Sequence, residues 1–360
     1  MALNGAKIVT MASEVRPARR RAYTTRDPEL DAKIAELVAA AGESENSDLL
    51  QELITTAIRL MRDPADRGEM KLVNAALKEF AYSFHVFREY RAHRKVSIFG
   101  SARTTPDESI YSYTREFARA MAEQNWMIIT GAGPGIMAAG HEGAGAEKSF
   151  GASIRLPLES EPNIFIQGNT KLINFKYFFT RKVTFIKESD GFALLPGGFG
   201  TMDEAFELLT LMQTSKSDLH PIVLLDEPGG DYWLDWLRFV DKSLIGRNLI
   251  SREDLDLIFR TDSIEEAVAE LTGFYRNYQS QRYVDGILIL RMLRLPSDDD
   301  IERLADAFAD IVGPLGLRAT EASEKELADH DSLDCKRLAV DFNQTNVGRL
   351  RVLINELNHF

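Results

Sequence analysis

Short apolar runs alternate with helical segments from residue 95 onward, and this alternation restricts the fold more than any other feature. The runs are rich in β-branched and aromatic residues and have the length of buried strands. They are KVSIFG (95–100), WMIITG (126–131), GASIRLPL (151–158), GFALLPGG (191–198) and PIVLLD (221–226). Helical patterns, clearest over 107–124 and 204–216, separate most of them. The sequence therefore predicts a doubly wound, Rossmann-like α/β domain with a parallel sheet over residues 93–277.

The regions on either side differ from this α/β segment in their pattern of apolar residues. Residues 28–92 carry apolar residues at three- and four-residue spacing, which predicts a helical domain used for packing or dimerisation. Residues 1–27, with an arginine cluster between 16 and 21, are predicted to be a flexible, solvated tail. Residues 278–360 read as strand, helix, strand, strand and helix, which predicts a small α+β domain of the ferredoxin-like type.

Charge and cysteine content exclude several classes of function. A net charge of -12 argues against nucleic acid or an anionic membrane as a partner. No apolar run reaches the roughly 18–20 residues of a membrane span, and the N-terminus lacks the apolar core of a secretory signal. The single cysteine, Cys335, excludes an internal disulfide framework and a cysteine-based zinc site, and no other metal-ligand spacing stands out. We therefore expect a cytoplasmic protein without a bound metal.

Three predicted strands end in glycine-bearing loops, and parallel strands present their carboxyl ends at one edge of a sheet. The first loop contains Gly100 and Ser101, the second loop contains Gly131, Gly133 and Gly135, and the third loop contains Gly197, Gly198 and Gly200. Neither the dinucleotide fingerprint G-x-G-x-x-G nor the P-loop pattern occurs in them. One such loop is equally consistent with ordinary turn chemistry, but three at one edge predict close approach to a ligand such as a phosphate.

Glu204 follows the third loop, and the sequence leaves two interpretations of it open. In the first, Thr201 caps the next helix and Glu204 bonds back to its start, as in the capping box T-x-x-E. In the second, the helix N-terminus binds a phosphate and the carboxylate lies beside the sugar of a nucleotide. There it would hold ribose hydroxyls or stabilise positive charge at the anomeric carbon.

Two basic residues, Arg181 and Lys182, lie on an aromatic and apolar helical pattern that leads into the strand before the third loop. By default such side chains extend to solvent. The alternative is that this basic end faces the same pocket, where Arg181 would clamp a phosphate. His141, in the helix after the second loop, is predicted to be structural rather than catalytic.

The segment PGGFGTMDE (196–204) resembles the P-G-G-x-G-T-x-x-E signature of the LOG family, the cytokinin-activating phosphoribohydrolases. The upstream TRK (180–182) resembles the family's paired basic motif, and GPGIM (133–137) and GSAR (100–103) resemble its other two loops. The resemblance covers roughly residues 95–275 and leaves both flanking regions outside it. The chain is therefore similar to the longer bacterial members rather than to the short plant and fungal ones.

The resemblance implies a reaction in which the N-glycosidic bond of an AMP-like nucleoside 5′-monophosphate is hydrolysed to free base and ribose 5-phosphate. Cytokinin riboside monophosphates are one subset of such substrates, and no residue selects them. The family's catalytic pair corresponds to Arg181 and Glu204. Substrate-binding roles are implied for Gly100, Ser101, Gly133, Gly135, Met137, Lys182, Gly197, Gly198, Phe199, Gly200, Thr201 and Thr210.

Two further expectations follow from the resemblance, and two alternative functions stay open beside it. The family works without a cofactor and commonly forms homodimers or higher homo-oligomers. Its members have been labelled lysine decarboxylases, but no motif here singles out the Schiff-base lysine that pyridoxal-phosphate catalysis needs. The main alternative is a nucleotide-binding sensor without turnover, and a weaker one is a scaffold whose glycine loops are only turns.

Overall fold

The computed structural model describes residues 23–42, 44–63, 65–155 and 161–360. The predicted flexible tail lies outside these ranges up to residue 22. The chain forms two compact units, one up to Ala75 and one from Ala76 onward. The first unit contains α1 (Pro28–Ala40), α2 (Ser47–Arg62) and the start of α3 (Arg67–Phe87), where the sequence predicted helices. Asp27 caps α1 by accepting from the amides of Glu29 and Leu30, which fixes where that helix begins.

A seven-stranded sheet forms the centre of the second unit. Its strands are β1 (Lys95–Phe99), β2 (Met127–Thr130), β3 (Ser149–Ile154), β4 (Leu172–Phe175), β5 (Gly191–Leu194), β6 (Ile222–Leu225) and β7 (Ile258–Thr261). The order is β4-β3-β2-β1-β5-β6-β7, and every adjacent pair is parallel. The four central strands β1, β2, β5 and β6 are buried along their whole length, as a sheet covered on both faces requires. The predicted doubly wound α/β fold is confirmed.

Six helices belong to this sheet. They are α4 (Ser109–Glu123), α5 (Ile136–Ala144), α6 (Phe178–Glu188), α7 (Phe199–Gln213), α8 (Tyr232–Phe239) and α9 (Ile264–Gly273). The chain order reverses at β1, which pairs with β2 on one side and with β5 on the other. The first, second and third loops leave these three strands, so they lie side by side at the switch point of the sheet.

Strands β4 and β7 were not predicted from the sequence. They occupy the two edges of the sheet, where half of the residues of β4 and three of the four residues of β7 stay accessible. Each edge strand therefore tolerates a polar residue, Asn174 in β4 and Arg260 in β7, and lacks the continuous apolar run that marks the central strands.

The C-terminal part of the second unit forms a four-stranded antiparallel sheet. Its elements are β8 (Tyr278–Val284), β9 (Ile287–Met292), α10 (Asp298–Ala307), β10 (Val312–Thr320), α11 (Glu324–Ala328), β11 (Lys336–Phe342) and α12 (Val347–Leu357), with strand order β10-β11-β9-β8. The predicted strand–helix–strand–strand–helix order is present from β9 to α12, except that the short helix α11 lies between β10 and β11, and Ser297 caps α10.

The prediction of a single strand around residues 282–293 is wrong, because this stretch folds back as the β8–β9 hairpin. Asp285 and Gly286 form its turn with φ values of 49° and 89°. A two-residue turn with both φ values positive matches the twist of paired strands, and Asp-Gly is a preferred pair for it. The dipeptide between two apolar runs was the signal that the sequence offered.

None of the helices in the described part of the chain combines the length and the hydropathy that crossing a membrane needs.

Candidate active site

The carboxyl ends of β1, β2 and β5 border a cavity of about 750 Å³, and all three glycine loops line it. Most of the predicted site residues contribute to its wall: Gly100, Ser101, Gly133, Met137, Arg181, Gly197, Gly198, Phe199, Gly200, Thr201 and Glu204. Gly135, Lys182 and Thr210 lie outside the lining. The sheet topology thus brings together segments that are about a hundred residues apart in the chain.

The third loop ends at an uncapped helix N-terminus. Helix α7 begins at Phe199 with Gly198 as its N-cap, and no side chain caps it. Its first intrahelical bond runs from the amide of Met202 to the carbonyl of Gly198, at 3.1 Å. The amides of residues 197–201 donate to no acceptor in the described part of the chain. This group of amides, together with the helix dipole, is a ready site for an anion.

The capping-box interpretation of Thr201 and Glu204 is wrong. Thr201 is the third residue of α7 rather than its N-cap, because the backbone at Gly198 is already extended (φ -90°, ψ -155°) and helical geometry starts at Phe199. Glu204 therefore lies a full turn inside the helix, where its carboxylate lines the cavity. The second interpretation, with this carboxylate beside a bound ligand, stays a prediction.

The glycines of the third loop divide into two kinds. A Cβ on Gly197 would lie 2.1 Å from the Thr201 hydroxyl oxygen, so packing within the protein excludes a side chain there. A Cβ on Gly198 or on Gly200 would meet no protein atom within 4 Å. Because both residues line the cavity, their missing side chains leave room that the folded protein itself does not use.

Gly135, in the second loop, packs closely against the backbone of the first loop. Its φ is +67°, and a Cβ would lie 2.3 Å from the carbonyl oxygen of Ser101. The same carbonyl accepts a hydrogen bond from the amide of Ile136 at 3.0 Å. This glycine therefore lets the start of α5 pack against the first loop, although it lies outside the lining of the cavity.

Glu204 is 5% exposed, and its carboxylate accepts no hydrogen bond from any described residue. Two cations are near it: the Arg181 guanidinium at 3.9 Å and the Lys182 ammonium at 3.8 Å. Burial raises the pKa of the Glu204 carboxyl to about 7, although the charges of Lys182 and Arg181 act in the opposite direction. A buried carboxyl that titrates near neutral pH can accept or hold a proton at a bound ligand.

Arg181 and Lys182 are neighbours on α6 but face different surroundings. The Arg181 guanidinium lines the cavity and lies 5.1 Å and 5.7 Å from the ring centroids of Phe178 and Phe185. Lys182 points to the acidic side of α7, 2.9 Å from Asp203 and 2.5 Å from Glu207. Burial would lower the pKa of Lys182, but these hydrogen bonds raise it. Lys182 is therefore protonated at neutral pH.

Two predicted residues on α7 lie away from the centre of the cavity. The side chain of Thr210 is exposed and donates to the carbonyl of Phe206 at 2.7 Å. Phe199 borders the cavity but is 96% exposed, which places its ring at the rim.

A hydrogen-bonded pair, His141 and Asn163, supports the second loop. His141 is fully buried, and its Nε2 lies 3.0 Å from both the Thr130 hydroxyl and the Phe150 carbonyl. Burial lowers its pKa, so the imidazole is neutral near pH 7, which agrees with the predicted structural role. Asn163 contacts His141 Nδ1 and donates to the carbonyl of Gly133 at 2.9 Å. No sequence motif marks Asn163, because it acts across space.

Three other lining residues, Arg103, Ser153 and Ile154, were not singled out as site residues from the sequence. Arg103, in the first loop, is a second cation of the lining, and Ser153 and Ile154 at the end of β3 form a wall together with Glu161 and Pro162. Among the described residues, no lysine lines the cavity, and no cluster of His, Cys, Asp and Glu could hold a metal ion.

The fold and the cavity together define a class of protein, namely a doubly wound α/β protein with a glycine-lined candidate anion site at the switch point of its sheet. Residues 132–271 match a family model described as "Possible lysine decarboxylase". The cytokinin riboside 5′-monophosphate phosphoribohydrolases LOG1 and LOG3 of Arabidopsis thaliana are 33% and 35% identical over 99 and 94 residues. This central segment is thus similar to the LOG phosphoribohydrolases over part of their length.

The similarity to these relatives is partial on both sides. The match to LOG1 covers 28% of this chain and 45% of the relative, and the match to LOG3 covers 26% and 42%. The chain therefore spans less than half the length of the curated relatives it matches. Among solved structures, the molybdenum cofactor carrier protein of Chlamydomonas reinhardtii is 19% identical, covering 50% of this chain and 96% of that one, with a TM-score of 0.34. That score carries no information on function.

Proposed function

We propose that the protein is a nucleoside 5′-monophosphate phosphoribohydrolase, which hydrolyses the N-glycosidic bond of its substrate. The observation that carries this proposal is the placement of the buried Glu204 carboxylate in the same cavity as the unbonded amides of residues 197–201. An anion site one helical turn from a carboxylate suits a ligand with a phosphate at one end and a reactive sugar next to it. The similarity of the central segment to the LOG phosphoribohydrolases supports the same assignment.

In the proposed complex, the third loop binds the 5′-phosphate through its amides and the N-terminus of α7. The open space at Gly198 and Gly200 allows phosphate oxygens to approach the backbone closely. Arg181 contacts the phosphate or the ribose and holds the substrate in register with Glu204. The base extends toward Met137, beside the second loop.

The proposed reaction breaks the bond between C1′ and the base nitrogen, and the bonding electron pair leaves with the base. The sugar passes through an oxocarbenium-like state, which the Glu204 carboxylate stabilises. One water adds to C1′ as hydroxyl; its proton passes to Glu204, which then gives a proton to the departing base nitrogen. The products are free base and ribose 5-phosphate. Because burial raises the pKa of Glu204 to about 7, this carboxyl can both accept and return a proton near neutral pH.

We propose adenine as the base, and cytokinin riboside monophosphates as a subset of the substrates. The names of the Arabidopsis relatives support this choice. The wall formed by Ser153, Ile154, Glu161 and Pro162 is the part of the cavity that would select among bases.

The direct test is to incubate the purified protein with AMP and to measure free adenine and ribose 5-phosphate by chromatography. Adenosine, which lacks the phosphate, is the matched control, and GMP, CMP and UMP test the choice of base. Release of adenine from AMP but not from adenosine supports the proposal. Tight AMP binding without any product would identify a nucleotide sensor instead, and absence of both would reject a nucleotide site.

Replacing Lys182 by methionine should move the pH dependence of base release to higher pH. The Lys182 charge lowers the pKa of Glu204, so its removal raises that pKa further above 7. If the ionised carboxylate is the active form, the low-pH limb of kcat/KM shifts upward by roughly one pH unit. Lys182→Arg keeps the charge and serves as the control with an unshifted limb. Coincident profiles for Lys182→Met and the wild type would contradict this electrostatic role.

We also propose that the protein forms a homodimer or a higher homo-oligomer. Exposed apolar side chains on α6, namely Phe178, Phe179 and Val183, and Phe206 on α7 support self-association near the cavity. Sedimentation equilibrium measures the mass directly. A single species at 40.5 kDa over the micromolar range would contradict this prediction.

A further inference from the structure

Two carbonyl oxygens of the third loop are held by hydrogen bonds on the side away from its free amides. The amide of Ser101, in the first loop, donates to the carbonyl of Pro196 at 3.0 Å. The hydroxyl of Tyr232, on α8, donates to the carbonyl of Gly197. Tyr232 lies 35 residues from Gly197 in the chain and does not line the cavity, so it reaches the loop from behind.

A trans peptide group is planar, and its carbonyl and its amide N–H point in opposite directions. No cis peptide occurs in the described residues, so this relation holds for the third loop. Holding the carbonyl of Pro196 therefore directs the amide of Gly197, and holding the carbonyl of Gly197 directs the amide of Gly198. The two hydrogen bonds together fix the directions of two consecutive donors.

The peptide group between Gly197 and Gly198 has a particular need for such support. It is flanked by two glycines, whose backbone angles are the least restricted of any residue, so the group can rotate at little steric cost. A rotated group would present its carbonyl oxygen, which repels an anion, in place of its N–H. Neither glycine can be replaced to stiffen the loop: Gly197 has no room for a Cβ, and Gly198 faces the cavity.

Contacts with the core fix the first turn of helix α8 and with it the position of the Tyr232 hydroxyl. The Asp226 carboxylate at the end of β6 accepts from the amide of Trp233 at 3.2 Å, which fixes the first turn of the helix. The Tyr232 ring packs edge-on against the Trp233 ring with centroids 5.0 Å apart. Trp233 itself is fully buried, so the position of the tyrosine follows from the core.

We propose that Tyr232 is a positioning residue that sets the orientation of the Gly197–Gly198 peptide group and thereby the strength of the anion site at the third loop. The ligand chemistry is a phosphate monoester dianion, and its identity as a nucleoside 5′-monophosphate rests on the proposed function. The inference about the loop itself needs only that this site binds phosphate.

The test compares Tyr232→Phe with Tyr113→Phe. Each variant removes one hydroxyl that donates to a backbone carbonyl, but the partner of Tyr113 is Asp262, outside the cavity lining. Calorimetry gives dissociation constants for AMP, for adenosine and for inorganic phosphate, and product assays give kcat and KM. We expect Tyr232→Phe to lower the binding affinity for AMP and for phosphate by about tenfold, as the loss of one oriented donor would do. The affinity for adenosine should stay unchanged. Tyr113→Phe should change none of the three.

The outcomes separate this inference from the proposed function. If the wild type releases base from AMP and Tyr232→Phe does so with unchanged KM and phosphate affinity, the positioning role is refuted while the function stands. If the wild type binds phosphate but never cleaves AMP, a weaker phosphate affinity in Tyr232→Phe upholds the positioning role while the function fails. Equal losses for AMP and adenosine would mark a general structural defect and overturn the inference. Failure of the wild type to bind either AMP or phosphate would overturn both.

Discussion

Glu204→Gln should reduce base release from AMP by at least about 100-fold while leaving AMP binding nearly intact. A glutamine has the same shape but carries no charge to stabilise an oxocarbenium-like state, and it cannot accept a proton from water. The proposed phosphate contacts come from backbone amides of the third loop and not from this side chain, so affinity for AMP should depend little on it. Single-turnover product assays and calorimetric titration with AMP measure the two effects separately.

The same substitution should stabilise the protein above neutral pH. Burial raises the pKa of Glu204 from 4.5 to about 7, so the folded state disfavours the ionised form. The resulting cost is absent below the unfolded pKa, grows as pH rises between 4.5 and 7, and is complete above the folded pKa. Its size is about 3 kcal/mol in the free energy of unfolding. Glu204→Gln removes this cost, so its unfolding free energy should exceed that of the wild type at pH 8 and equal it near pH 4.

Glu188→Gln is the matched control for Glu204→Gln. Glu188 is also a buried carboxylate, but it is paired with Lys187 at 2.6 Å and lies outside the cavity lining. This variant should keep its base release and should gain no stability at pH 8. Full activity of Glu204→Gln would remove Glu204 from the mechanism. An unchanged unfolding free energy at both pH values would show that the carboxyl titrates at its ordinary pKa.

Gly198→Ala and Gly200→Ala should each weaken AMP binding by about 100-fold without destabilising the fold. The added methyl group meets no protein atom, so the folded protein has room for it. It projects from a cavity-lining residue, however, and a displacement of about 1 Å at a positioned phosphate is enough for a loss of this size. At Gly200, inside the first turn of α7, alanine should even raise stability by about 0.5–1 kcal/mol.

Gly273→Ala and Gly100→Ala are the two controls for these variants. Gly273 ends α9, and its Cβ would come no closer than 3.9 Å to another residue, so this variant should keep both affinity and stability. A Cβ on Gly100 would lie 2.6 Å from Ile136, so that variant should lose stability. Titration with AMP and thermal unfolding distinguish the three behaviours. Wild-type affinity in both Gly198→Ala and Gly200→Ala would place the phosphate elsewhere.

The sequence predicted the parts of the fold and site that depend on local pattern. Central strands buried on both faces leave continuous apolar runs, and their glycine-bearing ends mark the edge where β1, β2 and β5 meet. Arg181 and Glu204 were found through a motif, and the structure places both on the cavity. The edge strands β4 and β7 were missed because partial exposure removes the apolar run.

What the sequence could not predict depends on contacts across space. The pattern T-x-x-E pointed to a capped helix, but Gly198 begins the helix earlier and leaves Glu204 in the cavity. Asn163 and Tyr232 hold the second and third loops through backbone carbonyls, and such contacts leave no residue pattern to recognise. Residue spacing within one segment carries no information about them.

The uncapped start of α7 has a consequence for how a ligand and the fold depend on each other. The first amides of α7 lack acceptors in the described part of the chain, whereas in most helices a capping side chain supplies such acceptors. A bound phosphate would provide the acceptors that a serine or aspartate cap provides in other helices. Substrate would then act as the last structural component of α7, so that local ordering of the chain and recognition of the anion are one event.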